Sequence, residues 1–222
     1  MKITFEGHSC FTVESNGKKV IIDPFLNGNP KARLKPSDVK VDAVLVTHGH
    51  ADHLGDAVEI SKKNNAPIIG PYELVNYCVA LGATGHTMNI GGSYNFPFGK
   101  VKMTIAHHGT PAETGAGNPC GFLITMDGKM LYHAGDTGLF SDMSLIGQTG
   151  KINCALLPIG DNFTMGIEDA IVAVDMLRPG VVVPMHYNTF DIINQDPEAF
   201  RAGIKDKAVK VEILNPGESL EV

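Results

Sequence analysis

The segment Thr47-His48-Gly49-His50-Ala51-Asp52-His53 constrains this chain more than any other stretch of its sequence. It places three histidines and one aspartate within six residues, and imidazole and carboxylate are ligands that Zn²⁺ and its first-row neighbours take in proteins. The preceding run, residues 41–46, is short, mostly apolar and rich in β-branched residues, which predicts a strand. A strand gives the ligand loop the rigid base that a metal site requires. The alternative is a solvated polar loop with scattered histidines.

Length and composition are those of a globular protein with a sizeable core. The chain has 222 residues, of which 43% are hydrophobic and 19% charged, and we expect one domain over residues 1–222. A net charge of −6 and the lack of a Lys/Arg-rich run disfavour nucleic acid as a partner. No apolar segment reaches the length of a membrane span, and the early polar residues disfavour a secretory signal.

The four cysteines, Cys10, Cys78, Cys120 and Cys154, are widely spaced and never form a C-x-x-C pair. This spacing fits neither a cysteine zinc site nor a disulfide framework. It predicts isolated thiols, mostly in the core, of a protein in a reducing compartment. We therefore expect a cytoplasmic protein.

Apolar runs separated by turn residues predict many short strands with interspersed helices. Helical spacing appears over about residues 54–64, 72–81 and 167–177. Strands are predicted over residues 3–5, 10–14, 19–23, 41–46, 67–70, 85–90, 93–96, 100–107, 120–126, 129–133, 155–158 and 181–184. Asn16-Gly17 predicts a hairpin turn between the second and third strands. The alternation predicts an α/β or α+β layered domain.

Further predicted strands also end in ligand-type residues beside glycine or proline. These endings are His107-His108-Gly109, His133-Ala134-Gly135-Asp136, Gly160-Asp161 and Pro184-Met185-His186. Strand carboxyl ends are where α/β proteins usually assemble their sites. A lone histidine there is more often a hydrogen-bonded structural residue, but several such endings together favour one shared metal centre. Because the first loop and these endings together offer more ligands than one closed tetrahedral ion needs, two ions are the economical interpretation.

These segments resemble the metallo-β-lactamase superfamily of metal-dependent hydrolases. The pattern His48-x-His50-x-Asp52-His53 matches the superfamily signature, and later ligand-type residues fall in the family's order. Within the superfamily, the chain is similar to uncharacterised metal-dependent hydrolases related to ascorbate-6-phosphate lactonase. The narrower resemblance lies in residues 7–11, 22–25, 160–166 and 184–188.

The resemblance implies an α+β fold, the four-layer αββα sandwich, with two divalent metal ions along one edge. The implied ligands are His48, His50 and His108 for the first ion, Asp52, His53 and His186 for the second, and Asp136 as a bridge. Zn²⁺ is the preferred ion. The affinity order and the cellular supply keep Mn²⁺, Ni²⁺ and Fe²⁺ open as alternatives.

Either residue of the adjacent pair His107-His108 could be the third ligand of the first ion. Consecutive side chains on a strand face opposite sides, so only one of the two rings can face the metals. We favour His108, because Gly109 and Thr110 follow it as small residues follow the family ligand.

Two cations that share a water lower its pKa toward neutrality and polarise the substrate oxygen. The predicted function is therefore a binuclear hydrolase that uses a metal-bridging hydroxide on a small anionic ester, lactone or phosphodiester. Asp52 is predicted to orient the hydroxide, because a carboxylate held by a cation is a weak base. We expect a small-molecule substrate, no membrane contact and, as an option, a homo-oligomer. The alternative is a non-hydrolytic metal-binding protein with a redox or regulatory role on the same fold.

His8 follows the first predicted strand, outside the implied ligand set. Its catalytic interpretation is a substrate-facing acid or electrophile near the metals, and its structural interpretation is a hydrogen-bonded turn residue. Asp23 is either a carboxylate that orients a ligand imidazole or a turn residue. Asp161 either lines the site or braces its loop. Phe163 and Met165 are predicted to be packing residues.

Overall fold

The computed structural model describes residues 1–115 and 117–222. Its strands are β1 (Lys2–Gly7), β2 (Cys10–Ser15), β3 (Lys18–Ile22), β4 (Ala43–Leu45), β5 (Ile68–Pro71), β6 (Gly85–Met88), β7 (Ser93–Phe96), β8 (Gly99–Ile105), β9 (Cys120–Met126), β10 (Lys129–His133), β11 (Cys154–Pro158), β12 (Val181–Met185), β13 (Lys210–Val211) and β14 (Ser219–Glu221). Its α-helices are α1 (Ala51–Leu54), α2 (Ala57–Asn64), α3 (Tyr72–Ala80), α4 (Met143–Gly147), α5 (Ile167–Leu177) and α6 (Pro197–Gly203).

The strands form two seven-stranded mixed sheets, in the orders β14-β1-β2-β3-β4-β5-β6 and β13-β12-β11-β10-β9-β8-β7. Each sheet begins with antiparallel hairpins and continues with parallel strands. The predicted hairpin between β2 and β3 is confirmed, and both turn residues, Asn16 and Gly17, have the positive φ angles (49° and 72°) of its tight turn. The parallel strands place several carboxyl ends at the same edge of the molecule.

Alternation along the strands of the first sheet buries both of its faces. Val20 and Ile22 belong to the cluster between the sheets, whereas Ile21 belongs to the cluster under α2 and α3. Because successive strand residues point to opposite faces, a continuous apolar run is what a doubly covered sheet requires. Ala170 and Val174 of α5 cover the second sheet. The predicted four-layer αββα sandwich is confirmed.

The structure differs from the sequence predictions mainly in short elements. The strands β13 and β14 and the helices α4 and α6 are too short to give a clear hydrophobic period, and no element was predicted there. The metal loop is partly helical, since α1 begins at Ala51. β8 ends at Ile105, so the premise that His107 and His108 alternate on a strand is wrong. In the described ranges, no helix is long and apolar enough to cross a membrane.

Candidate metal centre

Histidine and aspartate side chains from the ends of β1, β4, β8, β10 and β12, and from α1, converge on one site. Their ligand atoms form three overlapping groups, each with all atoms within 4.8 Å of one another: His48, His50 and His108; His8, Asp52, His53 and His186; and His48, His53 and Asp136. All seven residues implied as metal ligands lie in these groups. We call His48, His50 and His108 the first group, and Asp52, His53 and His186 the second group.

Asp136, which follows β10, lies between the two groups. Its Oδ2 atom is 3.1 Å from His53 Nε2 and 3.0 Å from His186 Nε2, both in the second group. The same oxygen is 3.5 Å from His108 Nε2 and 4.0 Å from His48 Nε2, in the first group. A single carboxylate oxygen that faces imidazoles of both groups has the position of a bridging ligand.

In the first group, the imidazole nitrogens point at one another. His48 Nε2 is 2.8 Å from His50 Nδ1, which is 3.3 Å from His108 Nε2. This close approach depends on Gly49, since a Cβ atom at that position would lie 1.8 Å from Thr114 Oγ1. The Gly49 amide also donates to Thr110 Oγ1 at 3.1 Å. Glycine is therefore required for the loop to bring both histidines to the same point.

The residues of the second group come from two kinds of backbone. Asp52 and His53 are neighbours in the single turn of α1, whereas His186 follows β12 with a positive φ of 53°. Asp52 Oδ2 is 3.8 Å from His186 Nε2 and 4.0 Å from His53 Nε2. A left-handed histidine costs on the order of 1 kcal/mol, and here the His186 amide is held by a 2.9 Å hydrogen bond to the His8 carbonyl.

Asp23 is the buried carboxylate that fixes the orientation of two ligands. It accepts from the amide and the hydroxyl of Thr47 at 2.8 and 2.7 Å, and from His53 Nδ1 at 2.8 Å. Because the Thr47 hydroxyl donates to Asp23, its oxygen accepts from His48 Nδ1 at 3.0 Å. Both imidazoles then donate from Nδ1 and turn Nε2 into the site. Of the two interpretations of Asp23, the structure supports the orienting carboxylate.

His8 is buried, and it contacts the second group through Asp52 rather than through the cavity, described below, that opens onto both groups. Its Nε2 is 3.1 Å from Asp52 Oδ2, and its Nδ1 is 2.9 Å from Thr189 Oγ1. Burial lowers the pKa of the His8 ring to about 4, and this lowering outweighs the opposing effect of the Asp52 hydrogen bond. The ring is therefore neutral and donates a hydrogen bond to the Asp52 carboxylate. The catalytic role predicted for His8 stays a prediction.

The charges at this site fit bound cations. Burial raises the pKa values of Asp23 and Asp136, but the surrounding imidazoles outweigh it and hold both below the usual aspartate range. Burial also opposes the ionisation of Asp52, which the His8 hydrogen bond and the His53 charge more than offset, so its pKa is lowered too. Within the described ranges, the ion-pair contacts of these three carboxylates are all to histidines. Buried negative charge without Lys or Arg is costly unless a cation neutralises it.

Unpartnered polar atoms point to the same conclusion. His53 Nε2 and Asp136 Oδ1 are buried and have no hydrogen-bond partner among the residues that the structure describes. Buried polar groups are almost always paired, so each exception calls for an explanation such as an ion. Imidazole and carboxylate donors of this kind suit Zn²⁺ and the neighbouring first-row ions. The residues present therefore fit divalent metal ions.

Of the two adjacent histidines after β8, only His108 faces the first and second groups. His108 Nε2 lies near Asp136 and His50, whereas the His107 ring is exposed and lies 5.1 Å, between ring centroids, from Phe140. His133 illustrates the structural alternative for a histidine at a strand end. It is buried, its Nε2 bonds to the Ser9 carbonyl at 2.9 Å, and its Nδ1 accepts from the Gly135 amide.

A cavity of about 250 Å³ opens onto the two groups. We call it the metal cavity. It is lined by His50, Asp52, His108, Asp136, Phe163 and His186. Phe163 is 54% exposed, so the prediction that it packs in the core is wrong, whereas Met165 is fully buried as predicted. Asp161 braces the loop that carries Phe163, since its carboxylate accepts from the Asn162 amide at 2.8 Å.

The sequence predictions gave no role to two threonines that hold the site together. Thr47 connects Asp23 with His48, and Thr189 holds the far side of the His8 ring. The position of Thr47 directly before the ligand motif was the one available signal. Thr189 lies 181 residues from His8 in the sequence, and no local pattern connects the two.

Comparisons with known proteins agree with this geometry. A family model described as a beta-lactamase superfamily domain matches residues 2–186. A UPF0173 metal-dependent hydrolase from Pelotomaculum thermopropionicum is 54% identical over 100% of both chains, and one from Geobacillus sp. is 53% identical over 100% of both. Igni18, a metallo hydrolase from the archaeon Ignicoccus hospitalis, is 40% identical with a TM-score of 0.92, over 100% of this chain and 98% of that one. The chain belongs to the beta-lactamase superfamily, within a family of metal-dependent hydrolases.

Proposed function

We propose that this protein is a binuclear metallohydrolase of small anionic esters, lactones or phosphodiesters. The observation that carries the proposal is the position of Asp136, whose Oδ2 faces imidazoles of both ligand groups within 3.0–4.0 Å. The first group would hold one ion, the second group the other, and Asp136 would bridge them. We propose Zn²⁺ as the preferred ion, with Mn²⁺, Ni²⁺ and Fe²⁺ as alternatives.

When bound, two divalent ions supply an activated water nucleophile and polarise the scissile bond of the substrate. The residues of the chain would position the reaction. Asp52 lines the metal cavity, and the hydrogen bond from His8 fixes the carboxylate oxygen that faces the second group. We propose that Asp52 orients the nucleophile and that His8 supports catalysis from the other side of Asp52.

The relatives named as hydrolases favour hydrolysis over the redox or regulatory alternative. The metal cavity, at about 250 Å³, has the size for the reacting part of a small molecule. It offers no broad basic surface for nucleic acid, in agreement with the net charge of −6. A cytoplasmic location and a homo-oligomeric state stay predictions from the sequence.

The test is metal-dependent turnover on a panel of generic substrates. Protein stripped with a chelator should be inactive on phenyl esters, simple lactones and bis(p-nitrophenyl) phosphate. Reconstitution with Zn²⁺ or Mn²⁺ should restore hydrolysis of at least one class, with activity saturating at two ions per chain. Saturation at one ion would contradict the binuclear proposal. Inactivity on every class with two ions bound would contradict the hydrolase proposal for these substrates.

A further inference from the structure

We propose that the substrate carries a linear apolar chain, which lies in a groove that runs from the metal cavity along β8 to α4. The inference rests on the proposed function, because the chain is a substituent of the molecule cleaved at the metal centre. It narrows the substrate class to esters or related molecules with an alkyl substituent in place of a second charged group.

Three cavities follow one another and share their walls. His108 lines both the metal cavity and a neighbouring cavity of about 360 Å³, which we call the middle cavity. Ile90 and Ile105 line both the middle cavity and a further groove of about 380 Å³, which we call the distal groove. The shared residues make a continuous path that begins beside a proposed metal ligand.

The distal groove is the most apolar part of the path. It is defined by Ile90 and Ile105 with Leu123, Leu145 and Ile146, whereas in the middle cavity the same isoleucines lie beside the polar side chains of His107, His108 and Asn118. Ligand sites that bind apolar groups combine an apolar lining with a few polar groups that fix orientation. Here the polar groups lie at the metal centre and in the middle cavity, and the apolar lining lies in the distal groove.

Charged side chains are scarce along the path. Neither the metal cavity nor the middle cavity has a lysine or arginine among its described lining residues. The distal groove contains Lys102, but Asp142 lines the same groove and carries the opposite charge. In the described lining of the metal and middle cavities, a phosphorylated or otherwise doubly anionic substrate would find no lysine or arginine to pair with its second charge, whereas an uncharged chain needs none.

The walls of the groove are fixed before any ligand binds. Two hydrogen bonds hold the turn after Ile90 against β8: the Gly91 amide donates to the Met103 carbonyl at 2.9 Å, and the Met103 amide donates to the Gly92 carbonyl at 3.0 Å. Ile90 and Leu145 are nevertheless 39% and 57% exposed. A bound alkyl chain would remove this apolar surface from water.

A series of p-nitrophenyl esters tests the inference with the Zn²⁺-loaded protein. The acyl group is lengthened from acetate through butanoate and hexanoate to decanoate, at concentrations below self-association. We expect kcat/KM to rise about two- to four-fold per methylene until the groove is filled, because each buried methylene contributes a roughly constant transfer free energy. Isothermal calorimetry with decanoate and acetate gives a readout independent of turnover, and only decanoate should bind in the millimolar range or tighter.

Two variants locate the chain within the groove, and a third serves as the control. Ile90→Gln changes the wall shared by the middle cavity and the distal groove, and Leu145→Gln changes the distal groove alone. Leu81→Gln is the matched control, since Leu81 is 48% exposed and lies outside all three cavities. The advantage of longer esters should decrease about five-fold or more in both groove variants, beginning at a shorter acyl chain for Ile90→Gln. Leu81→Gln should leave the hydrolysis of every ester unchanged.

The outcomes separate this inference from the proposed function. Equal rates for all chain lengths, with no decanoate binding, would overturn the inference and leave the hydrolase intact. Decanoate binding that Leu145→Gln weakens, without turnover of any ester, would support the groove and count against ester hydrolysis. A change in oligomeric mass on Leu145→Gln, with an unaltered chain-length profile, would make the groove an interface between copies and overturn the inference.

Discussion

The two ligand groups of the metal centre differ in how the surrounding protein holds them. In the second group, His53 is fixed by Asp23 and Asp52 is fixed by His8, through buried contacts of 2.8 and 3.1 Å. In the first group, His48 contacts Thr47, but the rings of His50 and His108 have side-chain hydrogen bonds only to other histidines within the described ranges. Two of the three side chains in the second group are therefore held by neighbours outside the implied ligand set, against one of three in the first group, which would depend more on the proposed ion itself.

This difference predicts different behaviour of the two ions. Preorganised ligands lose little conformational entropy on binding, and supporting hydrogen bonds typically contribute ten- to a hundred-fold in metal affinity. We expect the ion of the second group to bind first and leave last. Stepwise titration of the metal-free protein should show two affinities, and the variants below should shift them separately.

The largest effect is expected for Asp136→Asn, which removes the one carboxylate shared by both groups. Because its Oδ2 faces both, the affinity for both ions should fall, and kcat/KM should decrease on the order of a thousand-fold or more. Metal content after dialysis and steady-state kinetics measure the two effects. If one ion stays bound with its original affinity, Asp136 belongs to one group only.

His108→Ala should affect the first group alone. It removes one of three imidazoles from the less supported group, so one of the two ions should be lost and turnover should fall on the order of a hundred-fold. His107→Ala is the matched comparison, because the exposed His107 ring lies 5.1 Å from Phe140 and outside the three groups of ligand atoms, and it should leave both ions bound. Loss of an ion in His107→Ala, with both ions retained in His108→Ala, would show that His107 is the ligand.

His8→Gln tests whether the His8 ring orients the Asp52 carboxylate of the second group. The glutamine amide lacks the rigid ring whose two nitrogens contact Thr189 and Asp52, so the carboxylate should be less well oriented while both ions stay bound. We expect turnover to fall about ten- to a hundred-fold on a substrate whose leaving group needs protonation. Thr189→Val, which removes only the other contact of the ring, should have a smaller effect. Metal loss in His8→Gln would make His8 a ligand, and unchanged turnover would make it structural.

Asp23→Asn should weaken metal binding without removing a proposed ligand. The amide oxygen can still accept from Thr47, but the charged acceptor for His53 Nδ1 is lost. The affinity for the second ion should fall about ten- to a hundred-fold, with a smaller change for the first ion. Asp56→Asn is a control, since the Asp56 carboxylate also accepts from two backbone amides, those of Leu26 and Asn27, outside the centre. Equal effects of the two substitutions would indicate general destabilisation.

Much of the candidate site could be predicted because its residues directly follow apolar strands. The motif after β4, Asp136 after β10 and His186 after β12 are visible as polar residues at the ends of hydrophobic runs. The carboxyl ends of parallel strands meet at one edge, so local patterns were sufficient to bring these residues together. The choice of His108 over His107 agrees with the geometry, although the strand alternation used to frame that choice does not occur.

The supporting contacts could not be predicted in the same way. His8, Asp23 and His186 have positive φ angles of 61°, 45° and 53°, and such conformations are held by tertiary contacts rather than by local propensity. Asp23 contacts His53 over 30 residues and Thr189 contacts His8 over 181. Phe163 was misassigned because an apolar side chain at the mouth of a site has the same sequence signature as one in the core.

The most direct test of the account is the position and number of metal ions in crystals of the Zn²⁺-reconstituted protein, measured by anomalous scattering at the zinc edge. We predict two peaks per chain, both close to Asp136. One should lie about 2.0–2.1 Å from nitrogens of His48, His50 and His108, and the other at similar distances from Asp52, His53 and His186. A single peak, or a second peak away from Asp52 and His53, would contradict the binuclear centre.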